Sequence, residues 1–408
     1  MKILWVKPGK LLPLDSGGQL RTYNILRQLS AHHELTYLSY YGGSSDETYE
    51  EEICKHLPGT VVVCTAAPDT TQLERYFDYL RRLPWRAPYA VSKFTAPHVQ
   101  RLLAEWISQR RFDVAVCDFL SAALNFPQTL ATPTVLFQHN VETVLWKRKA
   151  QLEVSWLDRM ISKIEYAKMV RCEPEQVRRF HHVIAVSEAD RQAMKWMVDL
   201  ERISVVPTGV DLSKYQYDPD ARPASPLVVF TGSMDWEANI DGVEFFCGEI
   251  WPLVLARVPN ARFQIVGRDP HPRVKKLASK TVEVTGTVPS VVDYLCDAAV
   301  FVVPLRIGGG TRIKIYEAMA IGKATVSTTV GAEGLDVHHE RDILLADDPA
   351  SFAVAVTTLL LDEEERRRYE AAAADTARHY DWSIIAKRFV DVLERTIRSV
   401  SETAPARA

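Results

Sequence analysis

The chain has 408 residues, enough for two to three domains at roughly 150 residues each. Hydrophobic residues make up 47% and charged residues 25%, which excludes a disordered, collagen-like or coiled-coil chain. The net charge of −3 carries no nucleic-acid signature, so no nucleic-acid partner is expected. Six cysteines (Cys54, Cys64, Cys117, Cys172, Cys247 and Cys296) never fall in C-x-x-C spacing, which argues against a zinc ribbon or a redox dithiol. They read as mostly buried, reduced thiols of a cytoplasmic protein. The start, MKILWVKPGK, is too short in apolar residues for a signal peptide, and no run approaches the ~18 residues of a membrane span.

In chain order, Lys2–Val6 is an apolar strand, and Gly17-Gly18 opens a helix carrying Leu20, Tyr23, Ile25, Leu26 and Leu29. Further strands are expected at Glu34–Tyr40, Thr60–Thr65, Asp113–Asp118, Thr134–Gln138 and His182–Val186. The pattern then restarts with a strand at Leu227–Gly232 and a helix over Gly242–Val258. Strands follow at Ala261–Gly267, Val282–Gly286, Ala299–Leu305 and Ala324–Thr328. Tyr316–Ile321 is helical and ends at Gly322, and helices close the chain at Glu363–His379 and Ser383–Arg398. Continuous β-branched runs between helices specify parallel sheets covered on both faces. The expected fold is α/β, two Rossmann-like doubly wound domains facing across a cleft. The joint falls at Pro207-Thr208-Gly209, and the Pro-rich stretch Asp218–Pro226 leads into the second domain. The expected domains are 1–208 and 209–380, with 381–408 as a C-terminal helix packing back on the first.

Two loops carry the chemistry. Ser16-Gly17-Gly18 lets backbone N–H groups meet a ligand at a helix start, and reads equally as a plain βα turn. Arg306 to Gly322 (RIGGGTRIKIYEAMAIG) sets three glycines between a buried strand and a helix, an anion cradle. Arg312 and Lys314 add cations suited to a diphosphate, and Glu317 lies one turn in, where a carboxylate can hold ribose hydroxyls. Neither loop is a G-x-G-x-x-G or a P-loop. His139 ends a strand, at the edge where α/β sheets bind ligands. Asp218-Pro219-Asp220 is the one tempting acidic pair and reads as a turn, so no metal site is expected.

The order of these pieces resembles the retaining GT-B glycosyltransferases of the large family 4 type, which includes sucrose synthases and polysaccharide-building enzymes. Ser16-Gly17-Gly18 resembles that family's acceptor-side loop, and Ala185-Val186-Ser187-Glu188 its strand end before the hinge. Val205 to Asp211 (VVPTGVD) is similar to its hinge motif, with Thr208 for the usual Asn. Val266-Gly267 and Val284 to Val288 (VTGTV) resemble loops that hold the base, Glu317 to Gly322 (EAMAIG) the segment after the donor site, and Asp381-Trp382-Ser383 the stretch before the last helix.

The resemblance implies donor contacts from Gly232, Gly267, Arg268, Val288, Gly309, Gly310, Thr311, Arg312, Lys314 and Glu317, acceptor or phosphate contacts from Ser16, Gly17 and Gly18, and catalytic roles for His139, Arg312 and Lys314. It implies a metal-independent transfer from a nucleoside-diphosphate sugar, UDP-sugar favoured, as co-substrate with no other cofactor. Two departures stand out. Counting back eight from Glu317 reaches Gly309, so the first glutamate of the family's E-x7-E is absent. The loop Gly232 to Asn239 (GSMDWEAN) lacks the usual Arg and Lys, which leaves the phosphates to Arg312 and Lys314. A sugar-nucleotide epimerase and a non-catalytic nucleotide-sugar-binding subunit remain as alternatives. The partners implied are a nucleotide sugar and a glycan or lipid-linked acceptor. Basic, partly aromatic stretches at 71–113 and 146–182 suit peripheral contact with the inner face of the plasma membrane, or equally a solvated helix face.

Overall fold

The computed structural model describes residues 1–65, 72–152, 155–223, 225–307 and 311–403. The chain forms two compact units, Met1–Pro207 with Ile385–Ala408, and Thr208–Ile384. The second unit is thus an excursion from the first, and it includes the stretch Asp218–Pro226.

The first unit carries seven parallel strands: β1 (Lys2–Pro8), β2 (Glu34–Gly42), β3 (Thr60–Thr65), β4 (Val114–Asp118), β5 (Thr134–Phe137), β6 (His182–Ala185) and β7 (Ile203–Val205). Their order is β3-β2-β1-β4-β5-β6-β7. β4 and β5 are buried at every position, which is why they read as unbroken apolar runs. The second unit repeats the plan with β8 (Leu227–Thr231), β9 (Arg262–Val266), β10 (Val282–Gly286), β11 (Val300–Val303), β12 (Thr325–Ser327) and β13 (Leu344–Leu345), in the order β10-β9-β8-β11-β12-β13. Each sheet is wound outward from its first strand. Each therefore has a switch point, between β1 and β4 and between β8 and β11, where loops diverge at the carboxyl ends.

The sequence misplaces one helix. It begins at Glu237, earlier than Gly242, and its continuation Trp251–Arg257 is offset by a π turn over Phe246–Ile250. Pro252 lacks the N–H that a regular ladder would use, and the wider turn accommodates the gap. The cysteine reading is also corrected: Cys54, Cys64 and Cys296 are exposed and only Cys117 and Cys172 are buried. Cys64 lies on edge strand β3, and Cys54 follows the buried Ile53 on the outer side of the helix Glu47–His56.

The last helix, Trp382–Thr403, returns to the first unit and covers one face of its sheet. The fully buried Phe389 packs 5.2 Å from the ring of Trp5 on β1 and 5.1 Å from Phe137 on β5. Phe389→Ala would leave a cavity beside two aromatic rings, Trp5 and Phe137. We expect it to destabilise the first unit by about 3–5 kcal/mol in urea denaturation, with little effect on the second unit's transition. A loss below about 1 kcal/mol would show that the helix is not part of the core.

Candidate functional site

At the carboxyl edge of the first sheet, buried Asp118 ends β4 and gathers donors from three elements. Trp5 Nε1 donates to its Oδ2 at 3.0 Å and Thr22 Oγ1 at 2.7 Å. His139 Nε2 lies 2.6 Å from its Oδ1. Arg21 Nη1 sits 2.9 Å from His139 Nδ1. A guanidinium has no acceptor, so Nδ1 accepts and Nε2 carries the hydrogen donated to Asp118. The imidazole is therefore neutral, and burial, with Arg21 and Lys7 nearby, pushes its pKa down to about 4. Burial alone would raise Asp118, but His139, Lys7 and Thr22 outweigh it and hold the carboxyl below its ordinary value. Both ring nitrogens of His139 are thus committed to partners within the protein.

Phe119 explains the glycine. Its ring stacks on His139 at 3.8 Å and 7°. A Cβ on Gly18 would lie 2.7 Å from that ring. Phe119 holds φ +71°, a conformation that costs a non-glycine residue about 1–3 kcal/mol. Ser16 caps the adjoining helix Gly17–Ser30 by a reciprocal bond with Gln19, which fixes where the first-turn N–H groups point. Nearby, buried Glu173 accepts from Gln138 Nε2 at 2.9 Å and from the amides of Glu142 and Thr143 at 2.8 Å each. It clamps both flanks of His139.

In the second unit, Gly232 and Gly267 touch backbone to backbone at the ends of β8 and β9. The Gly232 amide donates to Val266 O at 3.0 Å, and a Cβ on Gly267 would fall 1.6 Å from Gly232 O. Lys314, in the first turn of the helix Ile313–Ala320, reaches into this loop. Its Nζ donates to Thr231 O at 2.6 Å and Asn239 Oδ1 at 3.1 Å, and it sits 2.8 Å from where a Gly232 Cβ would be. Burial and the Arg312 charge bring the Lys314 pKa down to about 7. Glu317, one turn on, accepts from Tyr215 Oη at 2.9 Å, and burial raises its pKa. Arg268 Nε donates to Ser233 Oγ at 3.3 Å on the same loop. Thr311 and Arg312 immediately precede the helix. Val288 stands apart, beyond β10 at the sheet edge, two strands from β8. Gly309 and Gly310 lie outside the described residues.

The structure therefore brings Gly18 and His139 together in one unit, and Gly232, Gly267, Arg268, Lys314 and Glu317 in the other. The Asp218–Asp220 pair forms a turn, with the Asp220 amide donating to Asp218 Oδ1 at 2.9 Å. Among the described residues no His, Cys, Asp and Glu cluster could hold a metal ion. Sequence reasoning missed Asp118, Arg21, Phe119, Asn239 and Tyr215. A carboxylate closing a wholly apolar strand was the available signal for Asp118.

Residues 16–214 match the family model described as Glycosyltransferase Family 4, and residues 225–362 the model described as Glycosyl transferases group 1. An uncharacterized 44.6 kDa protein in the cps region of Klebsiella pneumoniae is 22% identical over 371 residues, spanning 86% of this chain and 89% of that one. Among solved structures, sucrose-phosphate synthase from Thermosynechococcus elongatus superposes with a TM-score of 0.71 at 15% identity, over 98% of this chain and 100% of that one. Anabaena HepE in complex with UDP and glucose superposes at 0.65 and 15%, over 97% and 100%. At such identities the structural likeness speaks for the fold alone.

Two outcomes follow from the geometry. Gly267→Ala drives a methyl into the Gly232 carbonyl, whereas Gly248, with nothing within 4 Å of a Cβ, has room. We expect Gly267→Ala to cost at least about 1–3 kcal/mol and Gly248→Ala to stabilise by about 0.4–1 kcal/mol; equal melting temperatures would contradict the close approach. His139, folded near pH 4 and unfolded near 6.5, takes up its proton only on unfolding in that window. Its contribution is complete above pH ~6.5 and is lost as pH falls toward 4, at up to about 1.4 kcal/mol per pH unit. The acid slope of the urea midpoint should be shallower in His139→Asn than in the parent.

Proposed function

The chain belongs to the group 1 glycosyltransferases of GT-B fold, and on that premise we propose that it is a retaining, metal-independent hexosyltransferase. The donor is a nucleoside-diphosphate sugar, with uridine favoured as base. The acceptor is a carbohydrate, lipid-linked or small-molecule hydroxyl in glycan or polysaccharide assembly. The observation that carries this reading is the placement of Lys314. The loop Gly232–Asn239 has no cation of its own, and Lys314 delivers one into it from the start of the neighbouring helix. That helix has no acidic residue in its first turn to compete with an anion. The HepE structures with UDP and UDP-glucose favour uridine, and the Klebsiella relative's place in a cps region favours glycan assembly.

In this reading the diphosphate meets the first-turn N–H groups, Lys314 and Arg312. Lys314 is held short of full charge by burial until the anion arrives. It then stabilises the charge that grows on the leaving phosphate as the glycosidic bond breaks. Glu317 keeps one oxygen for Tyr215 and offers the other to the ribose. The acceptor binds at the Gly18 edge of the first unit. With Glu317 on the ribose, no carboxylate is assigned as nucleophile. The acceptor hydroxyl attacks on the face the phosphate leaves, and that phosphate takes its proton. The cations do the work that Mg²⁺ does elsewhere.

Lys314→Ala should weaken UDP binding by roughly 1.5–3 kcal/mol, or about tenfold to a hundredfold, in titration calorimetry. The parent should take up a proton on binding UDP at pH 8, and its affinity should fall up to tenfold per unit above pH ~7. Lys314→Ala should lose both effects. Unchanged affinity in the variant would reject the assignment. Turnover of a UDP-sugar should give a product of retained anomeric configuration and survive EDTA; inversion or EDTA arrest would overturn the mechanism.

A further inference from the structure

Thirteen large apolar side chains are exposed among the described residues, and eight of them fall within 76–85 and 156–160 of the first unit. Trp156 is 75% exposed, Phe77 64% and Tyr76 57%. The helix that carries the second stretch is tied, further along, to Leu83 and Tyr89. Lys168 Nζ, on the helix Trp156–Arg179, donates to Leu83 O at 2.8 Å, and the Tyr89 amide donates to Glu165 Oε2 on that helix at 2.6 Å. On each helix the exposed apolar residues recur at i, i+1 and i+4, so they share a face: Tyr76, Phe77 and Leu80 on Gln72–Arg82, and Trp156, Leu157 and Met160 on Trp156–Arg179.

The same region is basic. Arg81, Arg86, Lys93, Arg159 and Lys163 are exposed, against the exposed carboxylates Glu74 and Asp158. The Arg82–Asp78 pair is buried and adds no net charge. Beside this face opens a groove of about 970 Å³, lined in part by Phe77, Trp85, Tyr89, Phe94, Arg81 and Lys93. Lys93 Nζ sits 4.9 Å from the Phe94 ring and 5.9 Å from that of Tyr89. Aromatic and basic side chains therefore occur together on both helices and in the groove.

We propose that this face seats the protein on an anionic lipid bilayer, with its aromatic side chains in the headgroup zone and its cations against lipid phosphates. Tryptophan and tyrosine with flanking Lys and Arg are the chemistry of that interface. A second copy of the chain is the poorer occupant. A two-fold contact centred here would set Arg81, Arg159 and Lys163 against like charge, which costs binding energy. No helix of the described residues is long and apolar enough to cross a membrane, so the contact is with the surface. This inference does not depend on the reaction assigned above.

The test is co-sedimentation of the full chain with vesicles of phosphatidylcholine alone and of phosphatidylcholine mixed with phosphatidylglycerol, at low and high salt. We expect binding to the mixed vesicles, little to the neutral ones, and release by salt. F77S with W156S should lower partitioning at least about tenfold. Arg81→Gln with Lys163→Gln should lower it about 25-fold, or fivefold per cation. UDP affinity and melting temperature, unchanged in both variants, would show that the chain is still folded. Absence of parent binding to the mixed vesicles would overturn the proposal, as would equal binding by the variants. A dimer in sedimentation equilibrium that W156S dissociates, without vesicle binding, would assign the face to self-association and equally overturn it.

Discussion

A parallel strand covered by helices on both faces can hold polar chemistry only at its ends. This constraint organises both units. β4 and β5 are apolar between their ends, and the chain places Asp118 on the last residue of β4 and His139 two residues past the end of β5. In the second unit the same economy puts Gly232 and Gly267 where β8 and β9 finish, with a helix start and its lysine beside them. Backbone amides, dipole and cation converge because the sheet interior admits none of them.

The two edges solve different electrostatic problems. In the first unit a carboxylate, an imidazole and a guanidinium satisfy one another within a buried network, and a strained Phe119 seals it. The network is neutral at its histidine and its carboxylate is satisfied from within, whereas Arg21 Nε is buried without a hydrogen-bond partner. In the second unit the lysine is incompletely compensated. Its partners are a carbonyl and an amide oxygen, both uncharged, and burial has weakened its hold on a proton. That difference leaves the second unit with the less compensated charge.

Much of the fold was legible because buried parallel strands must be apolar at every position, and such runs are hard to mistake. β7 and β13 escaped because Ile203–Val205 and Leu344–Leu345 are too short to show any period. The helix around Trp251 was misread because Pro252 sits where a π turn, invisible to a 3.6-residue pattern, has already made room. Within the sites, Lys314 and Glu317 were visible from their spacing in one helix. Asn239, Tyr215 and Arg21 were not, since each matters through a partner far along the chain: 75 residues for Asn239 with Lys314, 102 for Tyr215 with Glu317, and 118 for Arg21 with His139.

The return of the last helix to the first unit has a consequence for biosynthesis. Trp5 and Phe137 are made early, but the ring that covers them, Phe389, leaves the ribosome only 384 and 252 residues later. The second unit is closed at its own base by the Val210 amide donating to Tyr380 O at 2.8 Å, and its residues are all synthesised before that covering helix is complete. The first unit is therefore completed only after every residue of the second has been made. During translation that aromatic face of its sheet stays uncovered until residue 389 arrives, which exposes apolar surface in the growing chain.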